Sequence, residues 1–206
     1  MSSVQATAPA PNHSPADRAA RVVTELLAPV PLAAVMPIII GVHATASIAA
    51  GLGWALVGTL FCAVIPNSLI WWGVRRGRLT DHHIRVRQQR RTPLIYGLLS
   101  VLVGLTVMIS FAAPRSVTAM VVVMFVLGLV VTLANLVWKM SIHAAVAAGS
   151  AAVLAVEFGP ALLAVALLVP LVAWSRVRLR EHSTSQVIVG AFVGALVSLP
   201  TYLLLR

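Results

Sequence analysis

The sequence predicts an all-α protein, a polytopic transmembrane helical bundle of about six to seven membrane helices. Hydrophobic residues make up 60% of its 206 positions, charged residues only 10%, and the mean hydropathy is +0.98. A soluble domain with this composition could not cover its surface with polar groups. The length suits one bundle rather than several domains. The lone Cys62 lies inside an apolar run, which excludes an internal disulfide.

The first 23 residues differ in composition from the rest of the chain. They are rich in Ala, Pro and Ser, carry Asp17, Arg18 and Arg21, and lack the apolar core of a cleavable signal. We therefore predict a disordered tail over residues 1–23 and a single transmembrane helical domain over residues 24–206.

Seven apolar runs follow the tail, and several approach the ~20 residues that span a bilayer core at about 1.5 Å per residue. They lie at residues 26–47, 54–74, 93–112, 117–138, 142–157, 160–174 and 186–205. The stretch 142–174 is too long for one simple span, and Pro160 interrupts it because proline removes a helix donor. We predict two short antiparallel helices that meet at Gly159-Pro160. The alternative is one long kinked helix, which would carry residues 175–186 to the opposite end of the bundle.

The basic residues are distributed unevenly between the two ends of the predicted bundle. Of the 15 Lys and Arg residues, 13 fall at the end that holds the amino terminus, and only Arg115 and Arg206 at the other. For a multi-pass protein of the cell (inner) membrane, the positive-inside rule then places the arginine-rich end in the cytoplasm. No nucleic-acid partner is predicted from the net charge of +10, because the arginines lie at helix ends without interleaved aromatic residues.

A first polar cluster, Ser175-Arg176-x5-His182, lies between two apolar runs. The planar guanidinium of Arg176 suits two phosphate oxygens. His182 can act as a nucleophile if an acceptor holds its other ring nitrogen, and Gln186, one helical turn further on, can be that acceptor. Glu181 is adjacent to His182 and is expected to point elsewhere on a helix.

A second cluster, Ser141-x-His143, opens an Ala-rich helix. Ser141 can cap this helix, whose first backbone N–H groups favour an anion. His143 can donate a proton to a leaving oxygen. The alternative is an ordinary capping serine beside an interfacial histidine, and for this cluster alone that alternative is favoured, since short motifs often match by chance.

A third cluster, His83-x6-Arg90, lies in an arginine-rich loop that also carries Asp81 and His82. The alternative is a cytoplasmic loop of ordinary composition. The neighbouring Asp81, His82 and His83 have no further carboxylate nearby, so no metal site is predicted. All three clusters return to one side of the membrane, which predicts one composite anion site with phosphate as the leading ligand.

These clusters resemble, in order, the motifs of the type 2 phosphatidic acid phosphatase (PAP2) superfamily, which read K-x6-R-P, P-S-G-H and S-R-x5-H-x3-D. Ser175, Arg176 and His182 match the last motif at the family's spacing. The resemblance covers about residues 75–205 and is that of a divergent member. The departures from the pattern are His83 for Lys, Arg91 for Pro, Met140 for Pro, Ile142 for Gly and Gln186 for Asp.

The resemblance implies a PAP2-like core and a metal-independent hydrolase without a cofactor. His182 would attack phosphorus to form a phosphohistidine, which water later hydrolyses, and His143 would protonate the leaving alkoxide. Family substrates are mostly lipid phosphates: phosphatidate, phosphatidylglycerol phosphate, and polyprenyl phosphates and diphosphates. The phosphoryl oxygens would be held by Arg90, Ser141, Arg176 and a protonated His83.

The neutral Gln186 leaves the role of the family's Asp open. We hypothesise that Asp81, from another loop, approaches His182 and supplies the carboxylate. The alternative function, which Gln186 favours, is an impaired PAP2-like protein that binds a lipid phosphate without hydrolysing it. A transporter or flippase subunit ranks last, because no acidic, basic or histidine residue lies in the middle of an apolar run, and His43 and Glu157 are both near helix ends.

The predicted partners are a lipid phosphate substrate and membrane lipids. Gly190 and Gly194 form a Gly-x-x-x-Gly motif, for which close helix packing is the first expectation. A homodimer formed through this motif is the weaker expectation.

Overall fold

The computed structural model describes residues 14–82, 84 and 86–206, and all regular structure in these ranges is helical. Between the α-helices lie a π-helical turn, Leu60–Val64, and two 3₁₀ segments, Arg87–Arg90 and Pro160–Leu167. The predicted all-α class is confirmed. The helices are α1 Pro15–Leu26, α2 Pro29–His43, α3 Ile48–Thr59, α4 Ile65–Arg75, α5 Arg91–Ser110, α6 Arg115–Val137, α7 Ile142–Phe158, α8 Leu168–Arg178 and α9 Thr184–Leu205.

The described residues contain five helical stretches long and apolar enough to cross a membrane, or six if α1 and α2 form one span bent by 46°. The helix α7 is apolar but has only 17 residues. The protein is therefore membrane-embedded, with five or six candidate spans among the described residues where six to seven were predicted. The five stretches are Ile48–Arg75, Arg87–Ser110, Arg115–Val137, Pro160–Arg178 and Thr184–Leu205.

The prediction of a disordered tail is wrong for residues 14–23, which belong to α1 and the residue that caps it; residues 1–13 lie outside the described residues. A capping box starts α1: the Ser14 hydroxyl accepts from the Asp17 backbone N–H, and the Asp17 carboxylate accepts from the Ser14 backbone. The Ala-, Pro- and Ser-rich composition suggested disorder, although Pro15–Leu26 form an amphipathic helix.

The helix α1 packs on α8 through one face. Ala20 and Thr24 are buried there, and the Thr24 hydroxyl donates to Ser175 Oγ at 3.0 Å. The Arg178 Nε lies 2.8 Å from an Asp17 carboxylate oxygen. Two polar contacts therefore fix α1 beside the segment that carries Arg176.

The stretch 142–174 forms the predicted hairpin. Gly159 makes the turn with φ of +91°, a conformation that glycine adopts without strain. The helix α7 packs against both Pro160–Leu167 and α8, so the chain reverses direction instead of continuing as one kinked helix.

Gly190 and Gly194 lie where α9 crosses α7. A Cβ atom at Gly190 would come within 2.6 Å of the Ser141 carbonyl oxygen, and one at Gly194 within 2.1 Å of the Ala145 carbonyl oxygen. The motif therefore serves close packing inside the chain, as first expected, and the homodimer stays a prediction.

The loops separate into two ends of the bundle. At the arginine-rich end, Arg87 donates to the carbonyl of Leu136 at 2.6 Å, and Lys139 donates to the carbonyl of Glu181 at 2.8 Å. At the opposite end, the His43 and Phe158 rings lie 4.4 Å apart. The described residues of the three polar clusters thus reach the same end of the bundle.

Candidate functional site

A cavity of about 450 Å³ extends from the arginine-rich end into the bundle between α2, α4, α5, α6 and α7. Arg90, His143 and His182 line its polar end. Most of the remaining lining is apolar and includes Val101, Met120 and other side chains along α5 and α6. The cavity therefore joins a polar mouth to an apolar interior.

His182 lies in the turn between α8 and α9 and is only 6% exposed. Its Nδ1 is 2.9 Å from Gln186 Oε1, and the same oxygen accepts from the Ser183 backbone N–H at 3.2 Å. Because the backbone donor fixes the oxygen's position, Nδ1 must be the donor to it, which leaves the lone pair of the imidazole on Nε2. The structure thus brings Gln186 to His182 as the spacing predicted.

Burial is the largest cause that lowers the pKa of His182, from 6.5 to about 4. The hydrogen bond to Gln186 acts in the opposite direction, and the charges of Arg176, Arg90 and Lys139 lower the pKa further. The imidazole is consequently neutral at pH 7, the protonation state that a nucleophile requires.

Ser141 caps α7 as predicted, since its hydroxyl accepts from the Ala144 N–H at 3.4 Å. The Ser141 backbone N–H donates to the Gln186 carbonyl at 3.2 Å, which ties the start of α7 to the start of α9. His143, in the first turn of α7, is 6% exposed and lines the same cavity as His182.

Met140 and Ile142 stand where the PAP2 motif has Pro and Gly, and the structure shows where each side chain lies. Met140, 1% exposed, packs in a core cluster with Leu127 and Val131. Ile142 lies on the cavity wall.

Arg90 is 4% exposed at the start of α5. Its Nε donates to the Ile84 carbonyl at 2.8 Å, and its Nη1 donates to Asn135 Oδ1 at 2.9 Å. Asn135 in turn donates to the Val131 carbonyl at 2.9 Å. Sequence reasoning missed Asn135, although an amide inside the apolar run 117–138 is a signal of function or specific pairing in a membrane helix.

Arg176 is 1% exposed and forms an ion pair with Glu181 through its Nη2. The side chain of Glu181 is 8% exposed. The expectation that Glu181 points away from His182 assumed a helix, whereas residues 179–183 form a turn. In this turn the Glu181 carboxylate pairs with Arg176, and Gln186 is the hydrogen-bond partner of His182. Arg180 has φ of +55°, and the N–H groups of Glu181 and His182 donate to the Arg176 carbonyl at 3.0 and 3.3 Å. This turn folds Glu181 back onto Arg176.

Asp81 lies in the loop after α4, where its charge acts on Arg90 and its carboxylate accepts from the Thr80 hydroxyl at 3.2 Å. The hypothesised position beside Nδ1 of His182 is occupied by Gln186. The predicted phosphate ligand His83 lies outside the described residues.

The described side chains include no group of three or more His, Cys, Asp or Glu that could hold a metal ion. A neutral imidazole, a second histidine and the buried guanidinium of Arg90 line the polar end of an apolar cavity, and the buried Arg176 is close enough for its charge to act on His182. Such a set can bind an anion and transfer a group to nitrogen.

Comparisons with protein-family models, with curated proteins and with solved structures found no match to this chain.

Proposed function

We propose that this protein is an integral-membrane phosphatase that hydrolyses a lipid phosphomonoester or diphosphate through a phosphohistidine intermediate, as the PAP2 resemblance implies. The observation that carries the proposal is the state of His182. It is buried and neutral, its Nδ1 is held by Gln186, and it lines the same cavity as His143 and Arg90. A fixed Nδ1–H directs nucleophilicity to Nε2.

In the first step, His182 Nε2 attacks phosphorus, the bond from phosphorus to the leaving oxygen breaks, and His143 gives its proton to that oxygen. In the second step, water attacks the phosphohistidine while His143 takes the proton of the water. Inorganic phosphate then leaves and His182 is restored. Charge on the phosphoryl oxygens is stabilised by Arg90, Arg176 and the Ser141 hydroxyl.

The shape of the cavity supports a lipid substrate. Its lining follows α6 from Thr132 to Met120, a stretch of about 18 Å at 1.5 Å per residue. Most of this lining is apolar, so a hydrocarbon tail placed along it would leave the phosphate at the polar mouth.

The experiment that tests the proposal measures phosphate release by the purified full chain in detergent without added metal. The substrates are phosphatidate, phosphatidylglycerol phosphate, and polyprenyl mono- and diphosphates. We expect His182→Ala to abolish release. His43→Ala, at the opposite end of the bundle, is the matched control and should release phosphate at the wild-type rate. Equal release by both variants would contradict the proposal.

A second candidate is a protein that binds a lipid phosphate without turnover. The neutral amide of Gln186 favours it, because an amide orients His182 but supplies no negative charge to support a phosphohistidine. Retention of phosphatidate by the wild-type protein, with no release from any substrate, would select this candidate.

The site is proposed to face the cytoplasm of the cell membrane, on the asymmetry of basic residues. Arg78 and Arg115 lie at opposite ends of the bundle. In a Cys62→Ser background, we expect a membrane-impermeant maleimide added to intact cells to label Arg115→Cys and not Arg78→Cys. The reverse pattern would invert the orientation.

A further inference from the structure

A second cavity, of about 260 Å³, lies at the arginine-rich end between the start of α5 and the end of α6. We call it the basic groove. It shares a wall with the larger cavity, formed by Arg90, Leu94 and Thr132. His143 and His182 line only the larger cavity, so the groove is separate from the proposed reacting groups. The groove is lined by Arg87, Gln88, Arg90, Arg91, Leu94, Thr132, Asn135 and Leu136.

Two arginines of the groove have donors that the protein does not use. Arg87 is fixed to the end of α6, because its Nη1 donates to the carbonyls of Asn135 and Leu136 at 3.2 and 2.6 Å. Its Nε and Nη2 make no hydrogen bond to the described residues. Arg91 begins α5, is exposed, and has no hydrogen-bond partner among the described side chains. One anion in the groove can therefore bridge α5 and α6 through these two guanidinium groups.

The charges that line the groove are of one sign. The buried Arg90 adds a third guanidinium to Arg87 and Arg91. The carboxylates of Asp81 and Glu181, whose charges act on Arg90, do not line the groove, and no described lining residue is acidic. An anion is attracted to such walls, whereas an ammonium group would find no carboxylate to pair with. The groove therefore favours a negatively charged group that carries no cation of its own.

The position of the groove selects a lipid over a free anion. It lies where the candidate span Arg115–Val137 ends, beside the exposed Trp138, and a tryptophan at a span end is typical of the headgroup level of a bilayer. Leu136, on the groove wall, is exposed, and so are Leu133 and Leu129, which continue along the same side of α6. A headgroup in the groove would thus place its acyl chains against this apolar side.

We propose that the basic groove binds one anionic diacyl phospholipid of the phosphatidylglycerol type, with its phosphodiester between Arg87 and Arg91. Basic pockets between membrane helices bind anionic headgroups in this way. The lipid is a resident ligand that links α5 to α6 and is not hydrolysed, because both histidines line the other cavity. The inference goes beyond the proposed hydrolysis and does not depend on it.

The first test measures lipid affinity by native mass spectrometry of the full chain in detergent. The probes are dioleoyl phosphatidylglycerol and dioleoyl phosphatidylcholine, which share their tails. We expect phosphatidylglycerol to bind at least about fivefold more tightly, and Arg91→Gln to weaken it by about fivefold, the contribution of one arginine to binding an anionic lipid. Arg75→Gln is the matched control: it removes the same charge from an exposed residue of this end that lines neither cavity, and should change nothing. Equal affinities for the two lipids, or equal effects of the two variants, would overturn the inference.

A second test on the wild-type protein locates the lipid. Phosphatidylglycerol with a photoactivatable diazirine on one acyl chain is cross-linked to the full chain, and the modified peptides are identified by mass spectrometry. We expect adducts on the exposed side of α6, at Leu129, Leu133 and Leu136. Adducts confined to the larger cavity, at Val101 and Met120, would place the lipid there and overturn the inference.

Inorganic phosphate is the competing probe that separates the two sources of a phosphate group. At millimolar concentration it should leave phosphatidylglycerol bound, because it gains nothing from the apolar side of α6. Displacement of the lipid by inorganic phosphate would assign the groove to a free anion and contradict the proposal. None of these readouts involves turnover, so their failure is distinct from failure of the hydrolysis assay.

Discussion

Replacing Gln186 with Glu tests the histidine site most directly, because the change adds a charge beside His182 and alters little else. The amide oxygen lies 2.9 Å from His182 Nδ1 and 3.2 Å from the Ser183 backbone nitrogen, so a carboxylate oxygen in its place keeps both hydrogen bonds. Gln186 is also the third residue of α9 and completes its capping box. Glu fits that position and is favoured near a helix amino terminus.

The expected shift follows from the distance. A unit charge about 4 Å from the imidazole, at an effective dielectric constant of about 20, contributes about 4 kcal/mol. That is about three pKa units at 1.36 kcal/mol each, and water at the mouth reduces it. We therefore expect the pKa of His182 to rise from about 4 in the wild-type protein to between about 5 and 7 in Gln186→Glu.

The sign of the effect on catalysis is fixed by the role of His182. Protonation removes its nucleophilic lone pair, so activity is lost as the pH falls through the pKa of His182. The acid limb of kcat/KM should lie at about pH 4 in the wild-type protein and at higher pH in Gln186→Glu. Above the limb, kcat should rise by about tenfold, because the carboxylate stabilises the positive ring of the phosphohistidine.

The assay is phosphate release from phosphatidate as a function of pH. Ser185→Glu is the matched control, since it places the same charge on the neighbouring, exposed residue of α9 and away from Nδ1. An acid limb that stays at about pH 4 in Gln186→Glu, or that moves equally in Ser185→Glu, would refute the assignment of Gln186 as the partner of His182.

Two further predictions concern stability, read from thermal unfolding in detergent. Arg176→Met should lower the free energy of unfolding by about 3 to 5 kcal/mol, because it leaves the Glu181 charge buried without its partner. The double variant with Glu181→Leu should recover most of that loss. A double variant as unstable as the single one would contradict this expectation. Gly194→Ala should lower the free energy of unfolding by about 1 to 3 kcal/mol, since its Cβ would lie 2.1 Å from the Ala145 carbonyl oxygen. Gly53→Ala, with nothing within 4 Å of the new Cβ, should be neutral or stabilising, and equal losses in the two glycine variants would show that close packing is not the cause.

Local patterns in the sequence predicted a large part of this arrangement. The apolar runs gave the long helices, and Gly159-Pro160 gave the reversal that returns the Arg176 cluster to the arginine-rich end. The interval of four residues from His182 to Gln186 gave their contact, even though His182 itself precedes the helix. In each case the signal is short in sequence, and helical geometry converts it into position.

What the sequence did not reveal depends on contacts between distant segments or on turn geometry. The partner of Arg90, Asn135, lies on another helix 45 positions away. The contact between Glu181 and Arg176 depends on the left-handed backbone conformation of Arg180, which the residue type does not predict. The helix α1 packs against α8, a segment distant in sequence. Composition alone does not reveal that contact and therefore suggested a disordered tail.

The two histidines line one cavity because α7 packs against α9. The Ser141 backbone N–H reaches the Gln186 carbonyl at 3.2 Å, and Gly190 lets the two helices approach at the Ser141 carbonyl. His143 follows Ser141 by two residues, and His182 hydrogen-bonds to Gln186, so both rings are attached to the junction between α7 and α9. Arg90 and Arg176 reach the site from other helices and are held by Asn135 and Glu181. Loosening the α7–α9 junction should therefore impair proton transfer and nucleophilic attack together.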